Sequence, residues 1–247
     1  MNVFMTVFSL HIFSSKTLLS QEKALRLDLL LVQTFGYSIA GLMELAGLGV
    51  ATVVDRLLDK EKHHEIAVVV GSGNNGGDGW IAARYLHNWG YPVCVVVIDT
   101  AASVSPQQRV FEKIGGMVLA IEDNDADWAI TSADCVIDGI LGVGISGSLR
   151  PMHKLAVDRV NQSRGLVVSI DIPSGVHPDE GAGLVCVHAD HTVAMVAPKR
   201  AARDCADMFG TLWCVNLSLP AAVYGLVGIL DPWQGVSDFV VAATLAD

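Results

Sequence analysis

Two hydrophobic periods alternate along this 247-residue chain. Short continuous apolar runs predict strands buried on both faces, and stretches with an apolar residue every three or four positions predict helices. The predicted strands span 65–73, 91–100, 117–121, 133–144, 165–175, 189–199 and 210–217, and the predicted helices span 20–36, 38–59, 79–90, 105–116 and 150–163. Strands that alternate with helices pair in parallel through right-handed crossovers. We therefore predict an α/β fold: a three-layer α/β/α Rossmann-like domain with a mainly parallel central sheet.

The ends of the predicted helices carry local stop and start residues. Ser20, Ser38 and Ser105 each precede a helical pattern and are predicted N-caps. The second helix contains four small residues between 46 and 51, which favour close packing in the core over a subunit contact. The tail, 221–247, is interpreted as a helix followed by a strand.

The first sixteen residues are apolar and contain no acid, but they are too short to span a bilayer. They lack a basic n-region and an obvious cleavage site. We interpret 1–16 as a poorly packed leader and 17–247 as a single domain. We expect a cytoplasmic protein, with the mitochondrion as the alternative compartment.

Charge restricts the partners. The net charge is −10, so binding to nucleic acid through bulk charge is excluded, and no membrane association is expected. An anionic ligand would need a local binding device. The five cysteines lack CxxC spacing, which argues against a disulfide framework or a zinc site.

The local device is the run "GSGNNGGDG" at 71–79. It satisfies G-x-G-x-x-G between a strand and a helix, and Asp99 follows at about the 20-residue offset of a ribose-binding acid. One hypothesis is therefore a nicotinamide-dependent dehydrogenase. Against it, no second domain for a substrate and no recognisable hydride-transfer motif is found.

Polar residues follow three of the predicted strands, where the ligands of open parallel sheets bind. Asn74, Asn75 and Asp78 follow the first strand, Asp138 ends another, and Asp171 and Ser174 follow a third. For Asp78, helix capping is an equally good interpretation. Asn75, Asp138 and Ser174 could form an all-oxygen site for a hard cation, although water or a lysine could do the same work.

Four ordered motifs, "GSGNNGGDG", "VIDGILGVG", "SIDIPSG" and "VAPK", resemble the NAD(P)H-hydrate epimerase family, which has the YjeF N-terminal domain fold. "LMELAGLGVA" resembles its animal branch, which includes the apolipoprotein A-I-binding protein. The resemblance runs from about residue 20 to about residue 210. It implies an isomerase that interconverts the R and S forms of 6-hydroxylated NADH and NADPH, and a homodimer.

The resemblance also implies the site. Residues expected to bind the hydrated dinucleotide are Asn74, Asn75, Gly76, Gly77, Asp78, Gly142, Val143, Gly144, Ile145, Ser146, Gly147, Ser148 and Asp171. Asn75, Asp138 and Ser174 would hold one potassium ion per subunit. Asp171 is our candidate for the catalytic acid–base residue, with a loop-capping role as the alternative.

Two positions depart from the family pattern. His177 stands where the family usually has an acid, and Leu29 follows Asp28 where a polar residue is usual. A chain that ends at residue 247 leaves no room for the kinase-like dehydratase domain of the bifunctional relatives, so we expect the dehydratase to be a separate protein. A nucleotide-sensing or protein-binding module without turnover remains an alternative.

Overall fold

The computed structural model describes residues 9–59, 62–100, 104–145 and 147–246. The strands, in chain order, are β1 (Leu10–Phe13), β2 (Ile66–Val70), β3 (Val93–Val97), β4 (Met117–Ala120), β5 (Cys135–Gly139), β6 (Leu166–Ile170), β7 (Val176–His177), β8 (Gly181–Ala182), β9 (His191–Met195), β10 (Thr211–Val215) and β11 (Val240–Leu245). The helices are α1 (Gln21–Gln33), α2 (Ile39–Leu57), α3 (Asn74–Asn88), α4 (Pro106–Lys113), α5 (Asn124–Thr131), α6 (Pro151–Asn161), α7 (Ala201–Asp204), α8 (Ala206–Phe209) and α9 (Ala221–Leu226). Over these ranges, none of the helices combines the length and the apolar character that crossing a membrane requires.

Nine of the described strands form one sheet in the order β1-β11-β10-β9-β6-β5-β2-β3-β4. Every neighbouring pair is parallel except β10 with β11, which is antiparallel. The central strands β2, β5 and β6 therefore end side by side at one edge of the sheet. The short strands β7 and β8 form a separate hairpin after β6.

Alternate residues of each central strand face opposite layers, as the two-residue period of a strand requires. Val68 belongs to the apolar cluster that includes residues of α1, α2, α3 and α4, whereas its neighbour Val69 belongs to the cluster that includes residues of α5 and α6. Both layers are apolar, which explains why the strands read as unbroken hydrophobic runs. The predicted three-layer α/β/α arrangement is confirmed.

The predicted caps are present. The hydroxyl of Ser20 accepts a hydrogen bond from the Lys23 amide, and the hydroxyl of Ser38 accepts one from the Gly41 amide. In α2, a Cβ added at Gly47 would lie 2.5 Å from the side chain of Ile81 in α3. The small residues of α2 therefore allow close packing in the core, as predicted.

Two element boundaries differ from the sequence prediction. Helix α3 begins at Asn74, five residues before the predicted start, because the chain enters the helix directly from the glycine-rich loop. Helix α5 was not predicted, because it is only 8 residues long and its sequence, NDADWAIT, contains few apolar positions.

The expectation that 1–16 is a poorly packed leader is wrong for its second half. Strand β1 pairs in parallel with β11, and Phe13 is fully buried with its ring edge-on to Trp233 at 5.9 Å. The prediction failed because the outward-facing residues of this edge strand, Leu10 and Ile12, are themselves apolar. The alternation of exposed and buried positions is therefore not visible as an alternation of polar and apolar residues. Residues 1–8 lie outside the described residues.

This pairing predicts a measurable difference between two neighbouring substitutions. Phe13→Ala should lower the free energy of unfolding by about 3–5 kcal/mol, the usual cost of removing a buried phenyl ring. Ile12→Ala, at a position that is 63% exposed, should change it by less than about 0.5 kcal/mol. Denaturant unfolding of both variants checks this. Equal, small effects would show that the segment does not belong to the folded sheet.

Candidate functional site

A cavity of roughly 700 Å³ lies beyond the carboxyl ends of β2, β5, β6 and β9. The loops after β2 and β5 form one side of it. Apolar residues of α1 and α2 form the other side: Leu25, Leu29, Val32, Ile39 and Met43. This is the position at which open parallel sheets bind their ligands.

The first glycine-rich loop is shaped by close backbone contacts. A Cβ added at Gly76 would lie 1.9 Å from the carbonyl oxygen of Gly71, and one added at Gly71 would lie 2.2 Å from the carbonyl oxygen of Ile140. Neither position therefore accommodates a side chain. The loop leads into the N-terminus of α3, whose free N–H groups are suited to bind an anion.

Helix capping does not explain Asp78. The N-cap of α3 is Gly73, and no side chain caps the helix. Asp78 lies in the second turn of the helix, and its side chain lines the cavity. The carboxyl group accepts no hydrogen bond from the residues that the structure describes, so it is available to a ligand.

The second glycine-rich loop, after β5, is held by the first turn of α1. The side-chain amide of Gln21 donates to the carbonyl oxygens of Val143 (2.7 Å) and Ile145 (3.1 Å). The backbone amide of Gln21 donates to Asp179 at 3.0 Å. Gln21 was not predicted as a site residue, because a polar residue at the start of a helix is usually solvated.

The structure brings together most of the residues predicted to bind a dinucleotide. Those that line the cavity are Asn74, Asn75, Asp78, Gly142, Val143, Gly144, Ile145 and Asp171. Gly76 and Gly77 are buried within α3, Gly147 and Ser148 lie outside the lining, and Ser146 lies outside the described residues. Their roles as ligand-binding residues stay predictions.

Asn75, Asp138 and Ser174 meet around the backbone of Leu141. The carbonyl oxygen of Leu141 accepts a hydrogen bond from the Asn75 amide at 2.9 Å, and the Leu141 amide donates one to the Ser174 hydroxyl oxygen at 2.9 Å. The Ser174 hydroxyl donates its proton to Asp138 at 2.5 Å. The three predicted metal ligands are therefore neighbours, with Asp138 and Ser174 fully buried behind the cavity wall.

The carboxylate of Asp138 accepts further hydrogen bonds from the Ser169 hydroxyl and from the amides of Ser174 and Ile140. Burial raises its pKa above the ordinary value, although these hydrogen bonds act in the opposite direction. No cationic side chain among the described residues forms an ion pair with it. Carboxylate, hydroxyl and amide oxygens are the donor types that hard cations prefer, so these residues fit potassium.

Asp171 forms a buried ion pair with Lys199. Lys199 is only 3% exposed, and its ammonium group also donates to the carbonyl oxygen of Met195 at 3.2 Å. The lysine therefore neutralises Asp171 and does not occupy the position beside Asp138. Lys199 stands in the motif "VAPK", but no role was predicted for it, because a lone lysine after a strand forms no distinctive pattern.

The backbone around this pair adopts an unusual conformation. Asp171 and Val196, which follow the neighbouring strands β6 and β9, have φ values of 66° and 67°. Both line the cavity. Non-glycine residues in this region store strain, and such strain concentrates at functional sites. The Asp171 carboxylate also accepts a hydrogen bond from the Met195 amide at 3.0 Å, so it joins the two strand ends as well as facing the cavity.

Two further carboxyl groups face the same space. Asp28 of α1 opens onto the cavity, and surrounding protein together with Asp171 raises its pKa to about 6, although Lys199 acts to lower it. Burial, Asp171 and Asp28 raise the pKa of Asp78 well above its ordinary value. The cavity thus combines one ion-paired carboxylate with two acids that hold their protons more tightly than usual.

The two departures from the family pattern lie in different places. Leu29 is 53% exposed and lines the cavity with the other apolar residues of α1. His177 lies outside the cavity lining, and its ring nitrogen Nδ1 accepts hydrogen bonds from the amides of Asp179 and Glu180. His177 therefore shapes the β7–β8 hairpin.

The fold and the cavity define a Rossmann-like α/β protein whose ligand site lies at the carboxyl edge of its sheet. Residues 39–201 match the model of the family described as YjeF-related protein N-terminus. The match covers more than half of the chain, and the chain belongs to this family.

Curated relatives and a solved structure agree with this assignment. The chain is 37% identical over 194 residues to the bifunctional NAD(P)H-hydrate repair enzyme Nnr of Hyperthermus butylicus, covering 76% of this chain and 36% of that protein. It is 32% identical over 190 residues to the NAD(P)H-hydrate epimerase of Plasmodium vivax, covering 76% of this chain and 65% of that protein. The chain thus spans less than two thirds of the length of either relative. The crystal structure of yeast YNL200c superimposes with a TM-score of 0.81 at 23% identity, covering 91% of this chain and 99% of the yeast chain, which supports the fold.

The raised pKa of Asp28 predicts how its removal affects stability. Between its ordinary pKa of 3.8 and about 6, the unfolded chain releases this proton while the folded protein keeps it, so the native Asp28 costs stability as the pH rises through this window. Asp28→Asn should therefore unfold at a higher temperature than the parent at pH 7, with the difference vanishing near pH 3.5. Asp158→Asn, at an exposed position of α6, is the control and should show no such trend. A constant difference at all pH values would contradict the raised pKa.

Proposed function

We propose that the protein is an NAD(P)H-hydrate epimerase that interconverts the R and S forms of 6-hydroxylated NADH and NADPH. The observation that carries the proposal is the cavity, in which two glycine-rich loops for a diphosphate adjoin the carboxyl cluster of Asp28, Asp78 and Asp171. The names of the relatives in Plasmodium vivax and Hyperthermus butylicus agree with it.

The loops would bind the substrate's diphosphate through backbone amides. The close contacts of Gly71 and Gly76 leave the N-terminus of α3 open, and an anion there is favoured by the helix dipole. Gln21 holds the second loop against the cavity by its bonds to Val143 and Ile145. The apolar side chains of α1 and α2 would cover the rings of the dinucleotide.

The chemistry requires a hydroxyl group to leave C6 of the substrate ring and water to return to either face. The neighbouring ring nitrogen supplies the electron pair that breaks the C6–O bond, which leaves an iminium cation. A protonated carboxyl group would donate its proton to the leaving hydroxyl, and a carboxylate would accept a proton from the returning water. The substrate and product therefore have the same composition.

The cavity offers a group for each task. Asp78 and Asp28 hold their protons more tightly than an ordinary carboxyl group, which suits a proton donor. Asp171, paired with Lys199, suits the carboxylate that stabilises the cation and accepts the proton. Lys199 would act as a positioning residue, because it fixes the Asp171 carboxylate through a buried contact.

Asn75, Asp138 and Ser174 would hold one potassium ion per subunit. When bound, the ion would supply a positive charge beside the buried Asp138 and so favour the approach of a diphosphate. We further propose a homodimer, a separate NAD(P)H-hydrate dehydratase in the same pathway, and a cytoplasmic location, with the mitochondrion as the alternative.

The direct test is chiral separation of the two hydrate epimers after incubation with the purified protein. The protein should equilibrate the epimers faster than buffer alone and should neither oxidise nor reduce NADH. An epimer ratio that changes no faster than in buffer would contradict the epimerase proposal and favour a nucleotide-sensing or protein-binding module without turnover. Stoichiometric consumption of NADH with a carbonyl substrate would favour a dehydrogenase.

Potassium should affect both stability and turnover. In KCl, the melting temperature and the epimerisation rate should exceed those in tetramethylammonium chloride at equal ionic strength, because a ligand bound only by the folded state stabilises it. Asp138→Asn and Ser174→Ala should lose this difference, whereas Asp158→Asn should keep it. Identical parent values in the two salts would overturn the potassium assignment.

Asp171→Asn tests the acid–base assignment. The substitution keeps the shape and removes the charge, so turnover should fall by ~10²–10⁴, the usual range for losing general acid–base catalysis. The dissociation constant for NADH hydrate should change much less, because the loops bind the diphosphate. The control is Asp158→Asn, which should turn over at the parent rate. If Asp171→Asn turns over at the parent rate, the acid–base assignment is wrong, and Asp171 has only the structural role that its hydrogen bond to the Met195 amide indicates.

A further inference from the structure

A second cluster of charged side chains lies at the rim of the cavity, away from the carboxyl groups of the proposed acid–base site. Asp99 follows β3, the strand that pairs with β2. Its carboxylate accepts a hydrogen bond from the Ser72 hydroxyl at 2.7 Å and forms an ion pair with the guanidinium group of Arg150 at 3.3 Å. Ser72 belongs to the first glycine-rich loop, and Ser72, Arg150 and His153 all line the cavity. The cluster therefore adjoins the proposed diphosphate site.

The two charged groups of this cluster differ in their exposure to solvent. The Asp99 carboxylate is 17% exposed, whereas the Arg150 side chain is 66% exposed. The ring of His153, which is 3% exposed, receives a hydrogen bond from the Arg150 guanidinium at 2.9 Å. Since a guanidinium group can only donate, the ring nitrogen Nε2 must accept. The guanidinium group thus lies between Asp99 and His153 and is open to solvent.

The charges on this cluster are stable near neutral pH. Burial acts to raise the pKa of Asp99, but the hydrogen bond from Ser72 and the charge of Arg150 outweigh it, so this pKa lies below its usual value. Burial and Arg150 lower the pKa of His153, although Asp99 acts to raise it. An ionised Asp99 and a neutral His153 leave the guanidinium group as the one positive charge of the cluster.

In Rossmann-type sheets, an acid at the end of the second strand binds the hydroxyl groups of the adenosine ribose, and a nearby arginine accommodates a 2′-phosphate. Here both residue types occupy that position and contact each other. A ribose with a free 2′-hydroxyl can donate to Asp99 while Arg150 stays paired. A 2′-phosphate would be repelled by Asp99 but can form a forked, charge-assisted pair with Arg150.

We propose that Asp99 and Arg150 form the subsite for the adenosine ribose and allow the protein to accept substrates with either a 2′-hydroxyl or a 2′-phosphate. The proposal rests on the proposed function, because it concerns the same dinucleotide cavity. Both residues are specificity-determining and neither takes part in the chemical step. Ser72 and His153 are positioning residues, which hold the carboxylate and the guanidinium group in place.

The proposal predicts opposite effects of two substitutions on two simple probes. The probes are adenosine 5′-monophosphate and adenosine 2′,5′-bisphosphate, whose binding is measured by calorimetry. Arg150→Ala should weaken binding of the bisphosphate by about 10-fold to 100-fold, the range expected for a hydrogen bond to a charged group, and affect the monophosphate much less. Asp99→Asn should weaken binding of the monophosphate and leave binding of the bisphosphate unchanged or tighter.

Two more variants sharpen the test. Arg150→Lys keeps the charge but loses the fork, so its affinity for the bisphosphate should lie between those of the parent and Arg150→Ala. Arg164→Ala removes an exposed arginine between α6 and β6, at the opposite edge of the sheet, and should change neither affinity. Melting temperatures of all variants show whether each one is folded.

The outcomes separate this proposal from the proposed function. Equal losses for both probes in Arg150→Ala, or absence of binding of both probes to the parent, would overturn the ribose subsite. The parent's equilibration of hydrate epimers is measured separately, so a failure of the proposed function shows in that assay alone. Opposite shifts of the two affinities in Arg150→Ala and Asp99→Asn would support the subsite.

Discussion

The loops around the cavity depend on the buried carboxylate of Asp138. Asp138 is the second-last residue of β5, has no contact with solvent and accepts four hydrogen bonds, two on each oxygen. The donors come from Ser169 in β6, Ser174 in the loop after β6 and Ile140 in the loop after β5. A buried carboxylate is costly unless it is fully hydrogen-bonded, so the two loops have few alternative arrangements. The path of the backbone through Leu141 and the position of Asn75 follow from this constraint.

The same constraint explains why strain is stored next to the site. Once β5 and β6 are joined through Asp138, the chain after β6 must turn sharply, and Asp171 adopts a left-handed conformation to do so. Its carboxylate is then directed to the end of β9, where it meets Lys199 and the Met195 amide. The ion pair and the turn support each other, because the lysine compensates a charge that the turn brings into a poorly solvated position. A residue fixed in this way loses little orientational freedom when a substrate binds.

Sequence alone predicted most of the sheet, five of the helices, the caps and the clustering of Asn75, Asp138 and Ser174. These features follow from local periodicity and from the rule that parallel strands end at one edge. It did not predict the pairing of β1 with β11, because that contact joins the two ends of the chain and depends on no local pattern. Gln21 and Lys199 were missed for a related reason: each contacts a loop more than twenty residues away, and neither stands in a spacing that distinguishes it from a surface side chain. Long-range polar contacts of single residues are set by packing, which the sequence does not display.

Under the proposed function, an anionic dinucleotide has to bind to a chain of net charge −10. Bulk electrostatics would repel such a ligand, so attraction has to come from groups within a few ångströms, where screening by solvent is weakest. Backbone amides of the glycine-rich loops and Arg150 provide positive potential at the cavity. Asp28, Asp78 and Asp171 outnumber Lys199 in the same cavity, which would favour a ring that becomes cationic during reaction. Groups of both signs are needed, because a diphosphate and an iminium cation carry opposite charges within one substrate. A cavity with charge of a single sign would bind one end of that substrate at the expense of the other.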